Sequence, residues 1–151
     1  MAGIVVWSLK LRFWAWRNDD DPGSRPDVRI FAVFYDPATT GQVEHSIGLK
    51  EGLIGVANVF AANHMTEENN VIVAHELLHT LGAGDKYDPS TTQPLFPAGF
   101  ADPEQSPLYP QKFAEIMAGR VPLTETESDT PRNLELAIIG PNTAAEINWR
   151  H

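Results

Sequence analysis

The run Thr66-Glu67-Glu68-Asn69-Asn70-Val71-Ile72-Val73-Ala74-His75-Glu76-Leu77-Leu78-His79-Thr80-Leu81-Gly82-Ala83-Gly84-Asp85 encodes a helix and its stop. Thr66 stands where an N-cap belongs, and Glu67 and Glu68 come next in the first turn, facing the positive helix end. Val71, Ala74, Leu78 and Leu81 recur at helical spacing and predict a face packed on a sheet. Gly82 and Gly84, free to take the left-handed conformation, end the helix near Leu81.

His75 and His79 are four residues apart, so a helix sets them on one face, one turn apart, able to grip a single ion. Glu76 falls about 100° further round. That places it beside the ion rather than on it, where a general base for water belongs. A helix cannot offer a third ligand to the same ion after His79. The chain has to turn, and Gly82 permits the turn that brings Asp85 back. Two imidazoles and one carboxylate leave a coordination position open, as a catalytic zinc requires and a structural zinc does not. The same donor set also suits iron.

Upstream of this helix, Val28 to Tyr35 is apolar, β-branched and aromatic and predicts a buried strand ending at Asp36-Pro37, and a further extended stretch covers about Leu53 to Phe60. Near the start, Val5, Trp7, Leu9, Leu11, Phe13 and Ala15 alternate with Ser8, Lys10 and Arg12, the pattern of a half-buried strand. The run Asp19-Asp20-Asp21-Pro22-Gly23 reads as a turn or loop. Asp88 to Pro110 is rich in proline and without periodicity, a long loop of the kind that carries function. Thr130-Pro131 predicts a second helix with Leu134, Ala137 and Ile138 as its apolar face. Gly140-Pro141 breaks that helix, and Asn142 or Thr143 caps a last short turn ending near Trp149. Together these elements predict one α+β domain over residues 1–151: a small twisted mixed sheet, a metal-bearing helix and a C-terminal helix.

The chain has 151 residues, 42% of them hydrophobic, and a formal charge of −9. That acidity argues against nucleic acid, whose binding depends on Lys and Arg neutralising phosphates. It serves solubility first and would also favour basic peptides. Cysteine is absent, so any metal must be held by His, Asp or Glu. The apolar opening Gly3 to Trp7 is too short to span a bilayer, and Lys10 and Arg12 interrupt the residues beyond it, so no membrane segment or signal peptide is expected in these residues. A targeting segment ahead of Met1 would place the natural protein outside the cell or on a membrane.

The extended pattern H-E-x-x-H-x-x-G-x-x-D, with Ala114-Glu115-Ile116-Met117-Ala118-Gly119 downstream, resembles the metzincin zinc metallopeptidases, whose signature is H-E-x-x-H-x-x-G-x-x-H and then a Met-turn. Asp in the third ligand position, here Asp85, is similar to the small snapalysin-like members. The resemblance implies one Zn2+ per chain on His75, His79 and Asp85, Glu76 as catalytic base, Met117 in the apolar floor beneath the metal, and a peptide or protein substrate. Matching the signature, Asp85 is preferred to its rival Asp88, which is left either to cap the loop or to support a ligand from behind. Many relatives carry Tyr two residues beyond the Met, where this chain has Gly119; Tyr87 or Tyr109 is the candidate substitute. Gly52 to Phe60 falls where the family has an antiparallel edge strand that pairs with extended substrate, which would give Gly55 and Ala57 backbone contacts to a peptide. The family's long helix between its first two strands has no counterpart between Ala15 and Val28. His64 could line the cleft but reads as a surface residue at a helix start, and His45 and His151 read as solvated.

Two rival activities share parts of this pattern. Metal-dependent endoribonucleases use a similar ligand spacing, but Glu76 and the acidic surface count against them. A non-catalytic module stabilised by zinc would need the ligands and not Glu76.

Overall fold

A computed structural model describes residues 2–17, 27–50 and 53–149. The elements run α1 (Ala2–Arg17), β1 (Arg29–Tyr35), β2 (Ile47–Leu49), β3 (Ile54–Phe60), a 3-10 turn (Asn63–Met65), α2 (Thr66–Leu81), β4 (Ala114–Glu115), β5 (Val121–Pro122), β6 (Ser128–Asp129), a second 3-10 turn (Leu134–Leu136), β7 (Ala137–Ile138) and α3 (Pro141–Glu146). The class is mixed α+β. Three strands form a small mixed sheet in the order β1-β3-β2, with β1 parallel and β2 antiparallel to the centre.

The first residues depart from the expected strand: Ala2–Arg17 is helical. The period-2 pattern fails because Val6, Trp14 and Trp16 occupy the positions that should be polar, whereas Leu9, Lys10, Leu11, Arg12 and Ala15 are all good helix formers. Arg17 in the last turn suits the negative helix end. β1 and β3 lie where expected, although β1 is an outer strand with Val33 and Phe34 exposed rather than a buried one. β3 is the central strand: Gly55 pairs with Ile30 of β1 and Gly48 of β2, and Ala57 pairs with Ala32 of β1, so β3 is not the edge that the resemblance implies. The antiparallel edge is β2. The acidic run from Asp19 to Gly23 lies outside the described residues, as does His151.

α2 covers the expected span, but Thr66 is its first helical residue rather than its cap, because the 3-10 turn of Asn63–Met65 leads straight into it. Its ends differ in character. At the C-terminus Gly82 takes φ +109°, its N–H donates to the His79 carbonyl at 3.0 Å, and the Ala83 N–H donates to the Leu78 carbonyl at 3.0 Å. This is a Schellman stop, with its usual apolar contact made by Leu78 and Ala83 in one buried cluster.

The expected apolar face of α2 does not all face the sheet. Leu78 and Ala74 pack with Ala83, Ile116, Met117, Ala137, Ile139 and Ile147, a cluster built from the C-terminal half, and Leu81 is exposed. The sheet meets the helix through β3, whose Phe60 carbonyl accepts from the Asn69 side-chain amide at 2.8 Å, and through β2 at Gly48. A Cβ there would lie 2.5 Å from both the Glu76 carbonyl oxygen and the His79 Cβ. Only glycine lets the strand lie this close to the helix.

The helix expected from Thr130 is absent. Asn133 is extended, one 3-10 turn comes after it, and Ala137–Ile138 pairs in parallel with Ala114–Glu115. Three apolar positions were too few to hold a helix against a strand pairing that packs Ile139 on the cluster. Pro141 then opens α3 from its first turn instead of ending a helix. From Asp88 to Pro110 the chain forms neither helix nor strand, as expected.

Candidate metal centre

His75 and His79 project from the last turns of α2, and the Schellman turn returns the chain so that Asp85 meets both. Asp85 Oδ1 is 3.2 Å from His75 Nε2 and 3.1 Å from His79 Nε2. Each imidazole is fixed from behind. Nδ1 of His75 lies 2.9 Å from the Ile116 carbonyl oxygen, and Nδ1 of His79 lies 2.8 Å from that of Ala83. A carbonyl only accepts, so Nδ1 carries the proton and Nε2 is the nitrogen turned towards Asp85.

Three lone-pair donors crowded together repel unless a proton or a cation lies among them. The ligand atoms of His75, His79 and Asp85 all fall within 4.8 Å of one another, and they are the one such group among the described residues. Burial opposes charge on His79, but its hydrogen bonds to Asp85 and to the Ala83 carbonyl outweigh this and raise its pKa. Asp85 is also partly buried, yet the two imidazoles hold its carboxyl well below the ordinary carboxylate range. The group therefore attracts positive charge of the kind that a divalent cation would supply. Two imidazoles with one carboxylate are donors that zinc accepts.

Glu76 is 5% exposed and its Oε2 has no hydrogen-bond partner. Burial pushes its pKa up, and His75 and His79 offset this in part. Together with the three ligands it lines an open cleft of about 760 Å³. One wall is the segment ahead of β2, held by Asn58, whose backbone N–H donates to Ser46 Oγ at 2.8 Å and whose side-chain amide donates to the His45 carbonyl at 3.0 Å. The other wall includes Tyr87. Burial and the neighbouring carboxylates of Asp85 and Glu76 raise its pKa, so the phenol keeps its proton and can donate.

Tyr109 is not part of the cleft; its ring packs on Phe100 at 5.8 Å. Gly55 and Ala57 are likewise absent from the lining. Asp88 caps its own loop, accepting from the backbone N–H groups of Ser90 at 2.8 Å and Thr91 at 3.0 Å. His64 is exposed and apart, whereas His45 is exposed at the cleft wall.

Met117 is fully buried beneath the ligand helix, beside Leu78, Ile116 and Ala83. Its carbonyl accepts from the Lys86 N–H at 2.9 Å, which ties the ligand loop to the floor. The floor in turn rests on Glu115, a residue the sequence did not single out. Its fully buried carboxylate accepts from the Met117 N–H at 2.7 Å, the Ala118 N–H at 3.2 Å, the Gly140 N–H at 3.1 Å and the Thr143 hydroxyl at 2.6 Å. Lys86 carries no signal in the sequence either. It is buried, and its Nζ donates to the Gly84 carbonyl at 2.8 Å and to Glu146 at 2.7 Å, bracing the residues on either side of Asp85.

No family model, curated protein or solved structure matches this chain.

Proposed function

We propose that the chain is a zinc-dependent endopeptidase with His75, His79 and Asp85 as metal ligands and Glu76 as general base. The observation that carries this is the unpartnered, buried oxygen of Glu76 beside three convergent ligands, in a cleft open to solvent. A buried carboxylate left without a donor is costly and persists where a water or substrate proton completes it. The sequence resemblance supports the same assignment, as do the buried position of Met117 and the antiparallel edge strand β2.

Zinc at this site supplies a Lewis acid and lowers the pKa of water. The chain's own residues do the rest. Glu76, its carboxyl poised upward by burial, takes the proton of the attacking water and returns it to the leaving amine. Tyr87 offers a phenolic hydrogen bond to the carbonyl oxygen as charge gathers there. The wall ahead of β2 bounds the groove along which an extended peptide would lie.

The test is a peptide-library digest with wild type and Glu76→Gln, alongside metal analysis. Wild type loaded with zinc should cleave, and the variant should bind one equivalent of zinc while losing about 10²–10⁴-fold in rate. A zinc-loaded wild type that cleaves nothing, or a variant that cleaves as well as wild type, would overturn the assignment.

A further inference from the structure

Helix α1 has an apolar surface that the fold does not use. Leu11 is half-buried and Trp14 sets its ring against Phe31 at 5.5 Å, which defines the side turned to the sheet. Val6, Leu9, Phe13 and Trp16 recur at spacings of three and four residues and are 52%, 60%, 59% and 72% exposed. At about 100° per residue these four fall within roughly 80° of arc. Arg12 lies beyond one border of that stripe, and Arg17 and Lys10 beyond the other. All three cations are exposed. A scattered exposed Leu needs no explanation, but a contiguous stripe of large apolar side chains marks an interaction surface.

Charge identifies the partner. α1 carries three of the chain's eleven cations and none of its twenty acids, within a protein of net charge −9. A second copy docked through the same stripe would bring these cations face to face. An anionic surface would neutralise them. We propose that α1 lies flat on an anionic lipid bilayer, with Val6, Leu9, Phe13 and Trp16 at the headgroup–acyl boundary and Lys10, Arg12 and Arg17 reaching to lipid phosphates. Tryptophan favours this depth, where one end of its ring is apolar and the other wet. The helix lies on the membrane rather than through it: no described helix is long and apolar enough to cross one. Asp19, Asp20 and Asp21 come later in the sequence and oppose the attraction.

The experiment is co-sedimentation of the full chain with vesicles of phosphatidylcholine alone or mixed with phosphatidylserine, at low and high salt. Binding should require the anionic lipid, weaken with salt, and fall at least about tenfold in Lys10→Glu/Arg12→Glu/Arg17→Glu. Leu9→Ser/Phe13→Ser/Trp16→Ser should lose as much while keeping the wild-type circular dichroism, because these side chains are exposed. With Trp7, Trp14 and Trp149 replaced by Phe, the emission of Trp16 should shift to the blue on anionic vesicles. Equal partition onto both lipids, or binding unaffected by either triple variant, would overturn the proposal. So would a dimer in light scattering that the apolar triple variant dissociates, since that would give the stripe to a second copy.

Discussion

The Nδ1 of His75 lies 2.9 Å from the carbonyl oxygen of Ile116, so the turn that buries Met117 also decides which nitrogen of His75 faces Asp85. His75 is thus oriented by backbone forty-one residues further along the chain, whereas His79 is oriented by the nearby Ala83 carbonyl. Ring orientation and tautomer come from the same bond.

Asp85 is the third ligand of the proposed site. Asp85→Asn keeps the shape but loses the charge, and zinc affinity in a chelator competition should fall by about 100-fold or more, at or above what loss of an outer partner brings. Asp88→Asn should leave the affinity unchanged, because that carboxylate serves only its own loop.

Glu115 holds the floor together. Glu115→Ala would leave the N–H groups of Met117 and Gly140 and the hydroxyl of Thr143 buried without an acceptor, while the Ala118 N–H keeps the Glu115 backbone carbonyl at 3.0 Å. Urea unfolding should show a loss of about 3–5 kcal/mol. Thr143→Val removes a single bond and should cost about 1–2 kcal/mol.

The two tyrosines should separate cleanly. Tyr87→Phe should lower kcat/KM for peptide hydrolysis by about 10²-fold with zinc content unchanged. Tyr109→Phe should not alter it, since that ring packs on Phe100 away from the cleft.

The pairing of Lys86 with Glu146 should emerge as an acid-sensitive part of stability. Partial burial works against the charge on Glu146, but the hydrogen bonds from Lys86 and from the Gly84 N–H outweigh it and lower its pKa from 4.5. A carboxyl whose folded pKa is depressed stabilises at pH above its unfolded value and loses that contribution as pH falls through the folded one. Melting curves of wild type and Glu146→Gln should therefore differ near neutral pH and converge as the medium is acidified below the ordinary glutamate range.

Gly48→Ala tests the contact between strand and helix. The added methyl meets backbone at Glu76 and the Cβ of His79, neither of which can swing aside. A loss of about 1–3 kcal/mol is expected in denaturant unfolding.

α2 is legible in the sequence because its apolar spacing, first-turn acids and Gly82 agree with one another, and the ligands are read off that helix and its stop. β1 and β3 are legible as β-branched and aromatic runs. α1 is not, because a helix apolar on two sides carries no clean period, and six alternating residues imitate a strand. The strand of Ala137–Ile138 is equally hidden, since its reason is a partner at Ala114–Glu115 rather than its own composition. Glu115 escapes notice because a charged residue in sequence normally implies solvent, and only the hydrogen bonds gathered from Gly140 and Thr143 show why this one is buried. The apolar neighbours Ala114 and Ile116 are the sole hint.

The clasp between Glu115 and the stretch Gly140 to Thr143 also governs when the ligand set becomes complete during synthesis. His75, His79 and Asp85 leave the ribosome well before the residues that hold their floor, and domains ordinarily fold as their chain is delivered. Here the nascent protein carries the proposed ligands for a time without the Ile116 carbonyl that aims His75. A messenger cut short anywhere between Lys86 and Thr143 would yield a polypeptide with all three proposed ligands above an unfinished floor.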